Sequence, residues 1–164
     1  MAEQRCEICG RLLVAHDRHV RFRLPDPILA TSAKENAPGA WLSHDSAESS
    51  VMMQIPPVGA FVRALLPVKL TGGYAVTYGV WVAIDPRELQ RAAAVWWAPE
   101  YKDLHLDGFL ANSIQPWGLL GAPVSLAVRD PEQTPYCSAS TNVQLAQVLR
   151  DEWPHEEVLD SLPS

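Results

Sequence analysis

Two cysteines and two histidines near the N-terminus have the types and spacing to do chemistry. Cys6-Glu7-Ile8-Cys9-Gly10 is followed by His16 and His19, a C-x2-C-x6-H-x2-H arrangement. A two-residue gap lets both thiolates reach one tetrahedral ion, and a glycine after the second cysteine eases the turn that aims them. Cys6, Cys9, His16 and His19 are therefore candidate ligands of a small zinc site, as short as a zinc knuckle but matching no common finger in order or gaps. His44, Asp45 and Cys137 are alternative long-range ligands, and two free thiols with two surface imidazoles are the bland alternative. The expected zinc role is structural. A chain of 164 residues buries roughly 70% of its unfolded surface and does not need metal to fold, so the ion would order the N-terminal arm. A redox Cys pair normally follows a strand in a βαβ setting, and none precedes Cys6.

Three further groups stand out. Arg63 sits inside an apolar run, where a guanidinium must find a carboxylate, find carbonyls or face a cleft. Its candidate role is contact with an anionic group of a partner, set against a structural ion pair. Trp96 and Trp97 are adjacent, and neighbours on a helix cannot face the same way. Trp97, with Trp117 and Trp153, is therefore a candidate partner contact, since exposed Trp often anchors an interface. The segment Asp151-Glu152-Trp153-Pro154-His155-Glu156-Glu157 gathers carboxylates beside a histidine, which suits acid–base work or a solvated acidic helix end.

These residues need a frame, and the clearest one lies at 61–84. Phe61 to Leu70 and Tyr74 to Ile84 are β-rich runs around Thr71-Gly72-Gly73. A two-residue Gly-Gly turn would pair residues whose numbers sum to about 145, setting Arg63 opposite Val82 and Ala64 opposite Trp81. Both faces of that hairpin are largely apolar, so both are expected to be covered. Pro67 cannot donate a ladder bond and should face an edge or a bulge. Asp85 and Pro86 begin a helix running to about Trp97. Val124 to Arg129 reads as a short strand. Thr141, with Gln144 three residues on, opens a capping box for a helix to about 152. A short acidic helix from His155 to Leu162 ends the pattern.

The expected fold is a single α+β domain: an antiparallel sheet centred on the hairpin 61–84, with two or three helices packed on one side. Residues 1–24 form a basic arm holding the CxxC pair, 25–50 an irregular connection with one helical turn, and 51–164 the α+β core. Thirteen Lys and Arg against 19 Asp and Glu give a net charge of −6. That charge argues against nucleic acid and anionic membranes, both of which need a basic footprint. The charge is uneven, with five Arg against three acids in the first 24 residues and one Arg against seven acids in the last 35. No run approaches the roughly 18 apolar residues of a spanning helix, and Met1 to Gly10 lacks an apolar signal core. The expected compartment is the reduced cytoplasm, because three cysteines make no disulfide framework.

The motifs together resemble a bacterial family, domain of unknown function 2199, in its actinobacterial branch. Cys6-Glu7-Ile8-Cys9-Gly10, Phe61-Val62-Arg63-Ala64-Leu65-Leu66-Pro67-Val68 and Tyr78-Gly79-Val80-Trp81-Val82 carry the likeness. Pro116-Trp117-Gly118-Leu119-Leu120-Gly121 and Trp153-Pro154-His155-Glu156-Glu157 extend it. Ala64 stands where the family pattern has glycine, and Arg11-Leu12-Leu13 where it has a histidine. The resemblance implies no activity. No G-x-S-x-G, H-E-x-x-H, P-loop or G-x-G-x-x-G motif occurs in the chain. The expected function is a non-catalytic domain that binds a protein partner or regulates, with a structural zinc. The alternative is a metal-dependent or small-ligand enzyme whose site gathers dispersed histidines and carboxylates.

Overall fold

β-branched and aromatic residues fill 59–84, and there the chain forms its two longest strands, β4 (Gly59–Leu70) and β5 (Tyr74–Ile84). The computed structural model describes residues 17–31, 38–56 and 58–160. The strands pair antiparallel along their whole length, but one residue out of the expected register. Paired numbers sum to 144, so Arg63 lies opposite Trp81 and Ala64 opposite Val80. The turn is a three-residue one, Thr71–Gly73, in which Gly72 and Gly73 both take positive φ. A one-residue slip exchanges every side chain between faces. In the observed register Val62, Ala64, Leu66, Val68 and Leu70 share one face with Val76, Tyr78, Val80, Val82 and Ile84, and all are buried. The hydrophobic pattern therefore overrides the two-residue Gly-Gly turn.

That face lines a barrel, and the expected α+β sheet with helices on one side is not what forms. Beyond the hairpin, β6 (His105–Leu110), β7 (Pro123–Ala127) and β8 (Tyr136–Ala139) pair in succession. β6 meets β5 through Val82↔Leu110 and Ala83↔Phe109, and β8 meets β4 through Leu65↔Tyr136. The ring β5-β6-β7-β8-β4 thus closes on itself as a five-strand barrel. Leu106, Leu110, Val124, Leu126 and Cys137 complete its interior. Closure removes the open edges that the long strands would otherwise expose. On the edge of β4 away from β5, the Arg63 and Leu65 amides donate to Val51 and Pro135. Pro67 is next in that alternation, between the residues paired to β8 and β9 (Glu152–Trp153), where no donor is needed.

Shorter elements cover the outer face of the hairpin. β1 (Asp17–Arg21) lies parallel to β5 at 75–79, while β3 (Met52–Ile55) and the two-residue β2 (Trp41–Leu42) extend the sheet beyond β4. Leu24, Ile28 of α1 (Asp26–Leu29), Ala47, Met53, Ile55, Phe61, Trp81 and Ala111 form a second core there. Arg63 is 1% exposed within this layer. Its Nε donates to Ser50 O at 2.8 Å, and its Nη1 to Phe22 O at 2.7 Å. Nη2 donates to Ala47 O at 3.1 Å and Arg23 O at 3.5 Å. Its plane lies 4.2 Å from the Trp81 ring centroid. Burial first, then the charge of Arg21, against an opposing pull from Glu48, holds its pKa down to about 9, so it is charged at neutral pH. Asn112, fully buried, accepts from Trp81 N at 2.8 Å and donates to Leu24 O and Asp26 Oδ1. Arg63 and Asn112 together fasten the 22–26 segment to the barrel wall.

The helices cap a closed sheet. α2 (Pro86–Val95) starts where Asp85 accepts from Arg87 N at 2.8 Å, and it buries Leu89 and Ala92. α3 (Val143–Arg150) is capped by Asn142, which accepts from Leu145 N, not by Thr141. α4 (His155–Asp160) buries His155, whose ring is 2.8 Å from Thr71 Oγ1 at the hairpin turn. The buried apolar residues of these three helices join the barrel cluster. Among the described residues no helix is long and apolar enough to cross a membrane.

Cys137 gives this core a chemical signature. Burial, only partly offset by Arg129 and a backbone hydrogen bond, pushes its thiol up to about 12 from an ordinary 9.0. A folded-state pKa raised in this way stabilises the fold below pH 9, and that contribution is lost as pH rises towards 12, at about 1.4 kcal/mol per unit. Iodoacetamide with peptide mapping is expected to leave Cys137 unlabelled in native protein at pH 8 and to label it after denaturation. The Cys137→Val variant is expected to lose stability less steeply than the parent between pH 9 and 11. Native labelling, or an unchanged slope, would contradict the closed interior.

Candidate functional site

The end of α2 and two loops build a cleft of ≈ 360 Å³ lined by His44, Ser49, Trp96, Trp97, Tyr101 and the 131–134 loop. Its floor follows from the adjacent tryptophans. Trp96 turns inward and packs 5.1 Å from the Tyr101 ring, while Trp97 is left 66% exposed. Pro99 starts a 3-10 turn, Pro99–Asp103, that buries Tyr101. The Tyr101 hydroxyl donates to Gln133 O at 2.5 Å, which fixes the far wall. That wall is itself a tight turn, in which Asp130 accepts from the Glu132 amide at 2.9 Å. Burial and then the Asp130 charge hold the Tyr101 pKa well above its usual value, so the phenol stays protonated.

The near wall is the serine-rich loop 43–50. Ser43 Oγ accepts from Val51 N at 2.9 Å and Met52 N at 3.2 Å, which occupies its lone pairs. Its proton therefore goes to His44 Nδ1, 2.9 Å away. That bond selects the tautomer with hydrogen on Nε2 and orients the ring. Ser50 Oγ accepts from the His44 amide at 3.1 Å and donates to Ser46 O at 2.7 Å. His44 meets Trp97 edge-on, with ring centroids 6.0 Å apart. The Ser43–His44 pair is thus a brace; Ser43 has no free lone pair with which to attack a substrate. Among the residues lining the cleft, Glu132 carries the only fixed charge.

The other sequence candidates fall elsewhere. Cys6, Cys9 and His16 lie outside the described residues, and His19 is exposed on β1, opposite Thr77. Among the described residues, no group of three or more His, Cys, Asp or Glu could hold a metal ion. Arg63 is the buried clamp already described. Trp117 and Trp153 are half-buried and pack against each other, centroids 5.1 Å apart, on the barrel cluster. Glu132 was not legible as a site residue, because it joins Trp97 only through the fold, whereas Tyr101 stands in the same aromatic run, Trp96-Trp97-Ala98-Pro99-Glu100-Tyr101. His44 was legible only as a metal ligand. Phe109, 56% exposed, was also missed, and two further clefts, of ≈ 290 and ≈ 370 Å³, flank it.

Comparison with known proteins gives a family and little more. A family model described as an uncharacterized protein conserved in bacteria matches residues 5–149. A probable cytochrome P450 313a4 of Drosophila melanogaster is 32% identical over 104 residues, covering 61% of this chain and 20% of that protein. The chain thus spans about a fifth of that relative's length. No solved structure matches it.

Proposed function

Because the chain belongs to the bacterial family of uncharacterised proteins called domain of unknown function 2199, we propose a function from its own surface: a non-catalytic domain that binds a protein partner at the Trp97 cleft. Trp97 carries this reading. A side chain of that size left 66% exposed, beside walls braced by Ser43–His44 and Tyr101–Gln133, is a rigid apolar anchor at the mouth of a polar recess. Bracing matters because an ordered wall loses little freedom on binding.

Trp97 supports no core packing, so Trp97→Ala is expected to change unfolding free energy by less than about 0.5 kcal/mol. The same change is expected to weaken a partner retained from cell lysate by about tenfold or more, read by quantitative pull-down at several protein concentrations. Equal retention by parent and variant would end this reading.

A further inference from the structure

We propose that the group seated in the Trp97 cleft is a cation, the arginine side chain of a basic segment on the protein partner; this rests on the interaction reading above. The lining is aromatic and acceptor-rich. Trp97 offers an exposed indole, Glu132 an exposed carboxylate, and the buried Tyr101 ring a further aromatic wall. The chain next to the lining residues adds exposed carboxylates at Asp45, Glu100 and Asp130. The bases nearest in sequence are Lys102 and Arg129, and Arg129 is turned onto Tyr136 at 4.8 Å; Arg21 and Arg23 lie beside the near wall but are engaged at Glu48, the first on its carbonyl and the second on its carboxylate. An anionic group would meet Glu132 with no fixed positive charge on the lining to offset it.

A guanidinium fits this set better than an ammonium. Its flat face stacks on an indole while its edge donates two parallel hydrogen bonds to a carboxylate. At ≈ 360 Å³ the cleft lies within the range of small-ligand sites and can take one long side chain with its backbone.

The test is an NMR titration of the full chain with a short unstructured peptide of alternating Gly and Arg, followed on the Trp indole N–H signals. The Arg peptide is expected to shift the Trp97 signal saturably, and the same peptide with Glu in place of Arg to leave it unmoved. Glu132→Gln is expected to weaken the Arg peptide about fivefold, Trp97→Ala to abolish saturable binding, and Trp41→Ala, at the edge of the sheet, to leave it unchanged. Both site residues are exposed, and thermal melts of each variant check the fold. Stronger binding of the Glu peptide, or equal binding of the Arg peptide to Trp97→Ala, would overturn the proposal. If a partner contacts position 97 but the Arg peptide does not bind, the cation assignment falls and the interaction reading stands.

Discussion

Arg63→Met is expected to lower the unfolding free energy by about 3–5 kcal/mol, the cost of breaking a buried charged network by removing one member. Methionine keeps the apolar stem but donates nothing. Ser50 O, Phe22 O and Ala47 O then lose their shared donor inside a buried layer, while Arg23 O keeps the Trp81 indole N–H at 3.2 Å. Each orphaned carbonyl costs about 1–3 kcal/mol before relaxation. Arg63→Lys is expected to recover only part of the loss, because one ammonium cannot span three directions. Urea unfolding measures both. Since the clamp ties the 22–24 and 47–50 segments to β4, amide exchange in these segments should rise before global unfolding. A loss below about 1 kcal/mol would show that the clamp is dispensable.

Gly108→Ala is the second severe change. A Cβ there would run into the carbonyl oxygen of Ala83, and would lie 2.8 Å from Val82 Cγ1 and 2.9 Å from Ile84 Cγ2. The oxygen belongs to the β5 backbone at the seam where β6 closes the barrel. It cannot retreat without parting Val82↔Leu110 and Ala83↔Phe109. Overpacking of this kind costs about 1–3 kcal/mol, and the upper end is expected because the obstacle is main chain. Calorimetry should show the melting temperature falling by about 5–10 °C. An unchanged melting temperature would mean that the seam is not as tight as the geometry states.

These two residues also mark what the sequence could reveal. Arg63 was conspicuous because a guanidinium in an apolar strand needs acceptors, yet those acceptors come from 22, 23, 47 and 50, which local pattern cannot place. The hairpin and the Asp85-Pro86 helix start were legible, because strand alternation and capping are local. The register was not, since Gly72-Gly73 suggested a two-residue turn. Only the slip by one gathers Val76, Tyr78, Val80, Val82 and Ile84 opposite the apolar face of β4. The barrel escaped because β6 carries a glycine at its centre, β8 has four residues, and β4 and β8 touch at one pair. For the site, Trp97 could be read from its adjacency to Trp96, while His44 and Glu132 arrive from loops far apart in sequence.

The binding face itself is tested most directly by placing a photo-crosslinking benzoylphenylalanine at position 133 of the full chain, in cells that carry the natural protein. This is a lining position whose side chain is exposed and whose backbone alone serves the wall, and Trp97 is kept in place. The result expected is one dominant protein adduct joined at position 133 through a peptide containing arginine. The same reagent at position 143, where Val143 is 74% exposed away from the cleft lining, should give none. No adduct at 133, or equal adducts at 133 and 143, would contradict the assignment of this cleft as the binding surface.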